Sequence, residues 1–341
     1  MRVQQLDSLP PSLQYVDDTY SGFKRVRRGK SFAIVDDRGQ ICKKRKVLAR
    51  VESMVIPPQW SDVWICEHET GHLQCTGRDQ RGRKQYIYHE DYVAYRQRAK
   101  FDKLVSFAER LPKLRTHVAT LLTGTRWDHD RMLGLVVRLL DRTHLRIGSA
   151  RYAAENDTYG LTTLRRKHLK DRSAKGLELA FQGKSGKFRR VTIKNRQLRK
   201  LVNEVAELPG YELFKYRDDD GSTKRLESSD VNNFLHKVMG DRYSAKDFRT
   251  WGGTSLAVKL YHEAVALHEA GGGKGKVETK LVKLVAKELG NTVSVCRQYY
   301  IHPTVLEMAA EAALPNHGWK DLPANSTDLA PFEEYTLEII S

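Results

Sequence analysis

The spacing of apolar and polar positions changes character near residue 93. Before it, short runs bounded by turn residues predict strands. Phe32-Ala33-Ile34-Val35, the turn Asp36-Asp37-Arg38-Gly39 and Gln40-Ile41-Cys42 read as a hairpin. After the break at Pro57-Pro58, Asp62-Val63-Trp64-Ile65-Cys66 and Gly71-His72-Leu73-Gln74-Cys75-Thr76 read as a second pair of strands. The turn Arg81-Gly82-Arg83 leads into Lys84-Gln85-Tyr86-Ile87-Tyr88, where strand alternation puts Tyr86 and Tyr88 on one face. Beyond Asp91 the period becomes helical, most clearly at Met132, Leu133, Val136, Val137, Leu139 and Leu140. A hairpin follows, Leu177–Phe181 and Phe188–Ile193 around a Gly183-Lys184-Ser185-Gly186-Lys187 turn. Helices are then expected near Leu198–Glu207 and Asp230–Val238, and one long helix over Ala245–Glu269 with Ser244 as N-cap. Gly271–Lys276 breaks the pattern, and two or three more helices finish the chain. The fold class is therefore α+β, with a β-rich domain over residues 1–93 and a mainly helical domain with a small antiparallel sheet over residues 94–341.

Composition narrows the class. The 341 residues are 40% hydrophobic and 30% charged, and the mean hydropathy is −0.58, ordinary for a soluble globular protein. No apolar run is long enough for a transmembrane helix, and the first residues lack the apolar core of a secretory signal. Cys42, Cys66, Cys75 and Cys296 are dispersed without a C-x-x-C pair, which fits reduced thiols and a cytoplasmic location. Charge is more informative. Lys+Arg outnumber Asp+Glu by 59 to 42, a net +17, which points to a polyanionic partner. The excess is clustered, with 11 basic against 2 acidic residues in Gly22–Arg50 and 14 against 2 in Thr162–Lys200. After Val305, Lys320 stands alone against seven carboxylates.

Two familiar motifs fail on inspection. Gly183-Lys184-Ser185 lacks the glycine a P-loop needs five residues earlier, where Glu178 stands, and it lies in a hairpin. His262-Glu263 and His268 are not H-E-x-x-H, because six residues separate histidines by about 240° around a helix. No metal site and no cofactor are expected. What remains for phosphate chemistry is arginine, lysine and tyrosine.

From about Val47 to Met308 the sequence resembles the type IB DNA topoisomerases, in particular the small poxvirus-like enzymes of bacteria. The matching stretches are Ile56–Cys66 with Thr76–Asp79 and Arg81–His89, Leu145–Gly148 with Glu155–Leu164, the Gly183-Lys184 turn, Lys246–Gly252, and Leu289–Thr292 leading to Tyr300. The resemblance implies a clamp around duplex DNA, with Tyr300 as nucleophile, Arg146 and Arg249 on the scissile phosphate, and Lys184 as general acid on a mobile hairpin. Asn291 stands where the poxvirus enzymes have histidine, and its amide NH₂ can still donate to a phosphate oxygen. Tyr299 competes with Tyr300 by sequence alone. Tyr300 is preferred because it lies nine residues after Asn291, the family spacing. Tyr86, Tyr88, Arg83 and Arg151 match positions near the DNA.

These residue types suit the chemistry. Phosphoryl transfer depends mainly on positioning and charge stabilisation, and two planar guanidinium forks match two nonbridging oxygens. A phenol, with an ordinary pKa of about 10, must lose its proton during attack, and nearby cations favour the phenolate. An ammonium can protonate the departing 5′-oxygen. A phosphotyrosine keeps the bond energy, so religation needs no ATP. The expected activity is relaxation of positive and negative supercoils through a 3′-phosphotyrosine, by a monomer acting on double-stranded DNA in the nucleoid, with no nucleotide, metal or membrane. The alternatives are a tyrosine recombinase or a non-catalytic basic nucleic-acid-binding protein.

Overall fold

The computed structural model describes residues 9–171, 176–320, 322–323 and 326–341. It divides into two compact units, Met1–Asp102 and Lys103–Ser341. The sequence places the junction at residue 93; the units part within helix α2 (Glu90–Leu122), which runs on across that position.

The first unit is built on an antiparallel sheet of β1 (Gly22–Arg28), β2 (Ser31–Val35), β3 (Ser61–Cys66), β4 (Leu73–Arg78) and β5 (Lys84–Tyr88), in the order β2-β1-β3-β4-β5. The β3–β4 and β5 strands are as expected. The Phe32–Cys42 hairpin is present but short: its turn closes from the Gly39 N–H to the Asp36 carbonyl at 3.0 Å, and the Cys42 N–H reaches the Ile34 carbonyl at 2.8 Å. β2 pairs more extensively with β1, and Gln40–Cys42 adds a single Val35–Ile41 bridge on its other side. Strand β1 escapes the pattern because its sequence is mostly basic. Arg25 is nonetheless held inward, donating to the carbonyls of Ile56, Pro57 and Trp60 at 3.1, 2.9 and 2.8 Å. Helix α1 (Arg45–Ser53) is likewise hidden in a basic run. Its Val47 and Val51, one turn apart, pack on the sheet core of Phe23, Ile34, Val63, Ile65 and Cys75.

The second unit is mainly helical. Helix α3 (His129–Thr143) is buried along Met132–Leu140 and starts where the Asp128 carboxylate accepts from the Arg131 N–H at 2.9 Å. A short helix α4 (Ala150–Asn156) precedes a three-stranded sheet, β6 (Leu169–Asp171), β7 (Leu177–Gln182) and β8 (Phe188–Ile193), in which β7 and β8 form the expected hairpin. Helix α5 (Arg196–Ala206), the small β9 (Lys215–Arg217) and β10 (Thr223–Arg225) pair, and α6 (Ser228–Met239) follow. The single helix expected over Ala245–Glu269 is two, α7 (Asp247–Lys259) and α8 (Tyr261–Ala270), turning at Leu260 so that Val258 and Tyr261 both enter one core cluster. Ser244 does not cap α7. The cap is Lys246, and the Ser244 N–H and hydroxyl instead donate to the Asp247 carboxylate at 2.8 and 3.1 Å. Helices α9 (Val277–Leu289), α10 (Val293–Tyr299), α11 (Pro303–Ala310) and α12 (Pro331–Ile340) follow, four among the described residues where the pattern suggested two or three.

The acidic C-terminal stretch is part of this fold. Glu333 of α12 is buried and accepts from both terminal nitrogens of Arg115 on α2, at 2.9 and 2.8 Å, and from the Trp251 indole of α7 at 3.2 Å. Arg115 also forks onto Asp141 of α3 at 3.0 and 2.9 Å. One arginine thus compensates two buried carboxylates and ties together elements far apart in sequence. Removing the shared partner leaves Glu333 buried without a cation and Asp141 with only the longer Arg142 contact at 3.8 Å, so Arg115→Met should lower stability by about 3–5 kcal/mol. In urea denaturation it should shift the midpoint strongly, whereas Arg151→Ala, which removes the exposed Arg151–Glu155 pair, should leave it almost unchanged.

Candidate active site

The site is organised by the end of α9. The helix buries Leu281, Val282, Val285, Ala286 and Leu289 in the core, and it stops at Gly290, whose φ of +62° is left-handed. The Asn291 N–H reaches back to the Ala286 carbonyl at 3.0 Å, closing the turn. The last carbonyls of a helix lack partners within it and carry the negative end of its dipole. Here guanidinium groups fill that need. Arg189 of β8 donates to the carbonyls of Lys287 and Glu288 at 3.1 and 2.8 Å. Arg249 of α7 donates to that of Leu289 at 2.9 Å. A side chain at position 290 would run into the Arg189 guanidinium, so the close approach also requires glycine.

Asn291 then bridges the two arginines predicted to bind phosphate. Its Oδ1 accepts from Arg146 at 2.5 Å and from Arg249 at 3.3 Å. Its Nδ2 is buried without a hydrogen-bond partner among the described residues. The amide therefore uses its oxygen to gather guanidinium groups and keeps its NH₂ for something else. Arg146 sits in the loop after α3, where the Arg146 and Ile147 carbonyls accept from the Leu161 and Thr162 N–H groups at 2.9 and 2.8 Å. Gly160 has no room for a Cβ against the Arg146–Gly148 backbone, lying 2.6 Å from the Arg146 carbonyl oxygen in that position. The two sequence stretches around Arg146 and Gly160 are thus one structural unit.

Tyr300 follows α10 directly. On α7, Arg249 and Gly253 are four residues apart and share a face. Gly253 admits the Tyr300 backbone, since a Cβ there would collide with the Tyr300 carbonyl and lie 3.0 Å from its Cβ. The Thr254 hydroxyl lies 3.3 Å from the same carbonyl and accepts from the His302 N–H at 3.1 Å. The ring centroid of Tyr300 lies 5.2 Å from the Arg249 guanidinium carbon. Tyr299, the rival nucleophile, is 37% exposed on α10.

Burial is the main influence on Arg249 and pushes its guanidinium down to about 10. Neighbouring Arg146 acts in the same direction, while Tyr300, to which it is hydrogen-bonded, opposes both. It remains charged at neutral pH. Arg146 and Arg189 are lowered by burial as well. None of the three forms an ion pair with a carboxylate among the described residues. Three guanidinium groups held by carbonyl oxygens and an amide keep their net charge for an anion.

Lys184 is placed differently. It is exposed on the β7–β8 turn, beside the left-handed Ser185 (φ 63°), and makes no hydrogen bond or ion pair among the described residues. The structure therefore brings Arg146, Arg249, Asn291 and Tyr300 together and leaves Lys184 outside their contacts. Arg189 was missed in the sequence, being one of 14 basic residues in its stretch. In the first unit, the Tyr86 and Tyr88 rings are exposed and stacked, 6.0 Å apart at 9°. Arg83 pairs with Asp79 at 2.7 Å and Arg151 with Glu155 at 2.7 Å. Among the described residues no group of three or more His, Cys, Asp or Glu is placed to hold a metal ion, and no helix is long and apolar enough to cross a membrane.

Comparison with known proteins gives the class of protein. Residues 88–314 match the family model of the eukaryotic DNA topoisomerase I catalytic core, and residues 31–79 that of the bacterial DNA topoisomerase IB N-terminal domain. The chain is 30% identical over 274 residues to DNA topoisomerase 1B of Acanthamoeba polyphaga mimivirus, covering 77% of this chain and 80% of the relative. It is 25% identical over 269 residues to DNA topoisomerase 1B of vaccinia virus (strain Copenhagen), covering 76% and 81%. A solved structure of the XerH site-specific recombinase bound to palindromic difH substrate, a post-cleavage complex, is 16% identical and covers 69% of this chain and 58% of that one. Its TM-score of 0.33 is too low to bear on function. The chain belongs to the type IB DNA topoisomerase family, whose enzymes are isomerases.

His144 gives the site a pH signature. Its carbonyl accepts from Arg249, while its buried imidazole packs on Gly252 and is pushed down to about 4 by burial, with Asp141 opposing. The unfolded chain binds a proton near 6.5, the folded chain only near 4. Acidification through that window therefore favours unfolding, by about 3 kcal/mol in total from this one group. Melting temperatures from pH 7 to pH 4 should fall, and should fall less in His144→Gln.

Proposed function

We propose that the chain relaxes supercoiled DNA by transient cleavage of one strand, with Tyr300 as nucleophile. The observation that carries this reading is the set of carboxylate-free guanidinium groups around the phenol. A scissile phosphate entering there would take the nonbridging-oxygen positions between Arg146 and Arg249. The unpartnered Asn291 NH₂ supplies one more donor. The phenol oxygen attacks phosphorus and its proton passes to solvent water. The bond to the 5′-oxygen breaks, and Lys184, on its hairpin turn, gives that oxygen a proton. The product is a 3′-phosphotyrosine and a free 5′-hydroxyl. The reverse step, after the duplex swivels, reseals the strand.

Positive and negative supercoils are both substrates, because rotation about the intact strand has no preferred hand. No nucleotide is required, since the phosphodiester energy is retained in the phosphotyrosine. The guanidinium groups supply the positive charge that the transition state needs. The protein acts as a monomer. Tyr86 and Tyr88, with Arg83 and Arg151, contact the duplex outside the reacting phosphate. The surplus lysines and arginines make binding fall steeply with salt.

The test is relaxation of supercoiled plasmid in EDTA without ATP. The parent chain should relax it and Tyr300→Phe should not, while Tyr299→Phe should remain active. Arg146→Ala and Arg249→Ala should each slow strand cleavage by about 10²–10³-fold, the scale of losing a preorganised donor at a developing charge. Relaxation by Tyr300→Phe at the parent rate would move the nucleophile elsewhere. Salt-sensitive DNA binding by the folded parent without relaxation would leave a binding protein.

A further inference from the structure

Arg189 is half-buried and held too specifically to be one more cation for the DNA backbone. Its guanidinium fork spans two consecutive carbonyls at the end of α9, Lys287 and Glu288. It lies against Gly290, the residue before Asn291, in space that any other residue at 290 would fill. Its other end belongs to the hairpin. Arg189 stands opposite Phe181 in the β7–β8 register, and its Cγ is 3.0 Å from where a Cβ on Gly183 would lie. Gly183 immediately precedes Lys184. The turn itself closes between the Gly183 N–H and the Lys187 carbonyl at 2.8 Å. One side chain therefore touches the base of the lysine turn and the segment presenting Asn291.

We propose that Arg189 is a positioning residue that sets the Lys184 hairpin against the Tyr300 site, and so governs proton delivery to the departing 5′-oxygen. This rests on the cleavage reading above. It also accounts for a third guanidinium group beside Arg146, which lowers it further after burial. Arg189 has both terminal nitrogens occupied by carbonyls. A lysine at 189 keeps the charge but lacks the planar fork that two adjacent carbonyls need.

The experiment separates positioning of the acid from general loss of the site. Single-turnover cleavage is measured on two duplexes, one with the normal 5′-oxygen at the scissile bond and one with sulfur in its place. A thiol has a pKa of about 8.5, so the thiolate leaves without needing a proton. Lys184→Ala should slow the oxygen substrate by about 10²-fold and the sulfur substrate little, as expected for loss of a general acid. Arg189→Ala should show the same selectivity, about 10-fold on oxygen and under about 3-fold on sulfur, a part of the general-acid effect. Arg189→Lys should keep the selectivity at a smaller size, and it carries the test should Arg189→Ala fold poorly by thermal denaturation. Arg249→Ala should slow both substrates alike. Equal losses on both substrates for the Arg189 variants, full restoration by lysine, or no loss on either would overturn the inference while leaving the cleavage reading intact. No cleavage of either substrate by the parent chain would overturn the cleavage reading, and this inference with it.

Discussion

The carbonyls at the end of α9, which take donors from side chains outside the helix, are the feature on which the site depends. A helix terminus must find donors, and a core-facing one without them is costly. This chain brings two arginines to the task, from β8 and from α7, in place of water. The choice has a chemical consequence. A carboxylate would hold the same guanidinium groups more strongly and cancel their charge. Carbonyl oxygens satisfy hydrogen-bonding geometry while leaving the charge available to an anion. The left-handed glycine at 290 makes the arrangement compact enough for Asn291, the next residue, to bridge Arg146 and Arg249 with one oxygen.

The rest of the second unit keeps that terminus in place. Helix α7 carries Arg249 at one turn and receives the Tyr300 backbone at Gly253 on the next. Two residues after Arg249, Trp251 donates to Glu333 of the last helix, which is locked in turn by Arg115 and, through it, Asp141. The acidic end of the chain is therefore a brace for the helix that holds a candidate catalytic arginine. A buried ion network of this kind adds little net stability over an apolar core but sets which groups meet. At the site, that setting is what matters: the phenol and the guanidinium groups must be arranged before an anion arrives.

Legibility in the sequence followed the strength of local signals. The Met132–Leu140 helix could be read from its apolar spacing, and the β7–β8 hairpin from the glycine-containing turn between its two strands. Strand β1 and helix α1 could not, since their basic residues concealed inward positions such as Arg25, whose role is to satisfy loop carbonyls. Ser244 looked like a cap, but the Asp247 carboxylate took that hydroxyl and also pairs with Lys103. In the site, Arg146, Arg249, Lys184, Asn291 and Tyr300 came from the family resemblance, and no composition or spacing would have chosen them alone. Arg189 had no signal, because its meaning lies in carbonyls about a hundred residues away in sequence.

The most direct measurement is the identity of the residue that carries DNA. The chain is incubated with a duplex labelled on the cleaved strand, denatured, digested, and the modified peptide mapped by mass spectrometry. A nucleotide 3′-phosphate on Tyr300 is the predicted result, because that phenol alone adjoins the hydrogen-bonded set of Arg146, Arg249 and Asn291 among the described residues. An adduct on Tyr299 or another residue, or none from a folded chain that binds the duplex, would contradict the assignment of this cluster as the phosphate site.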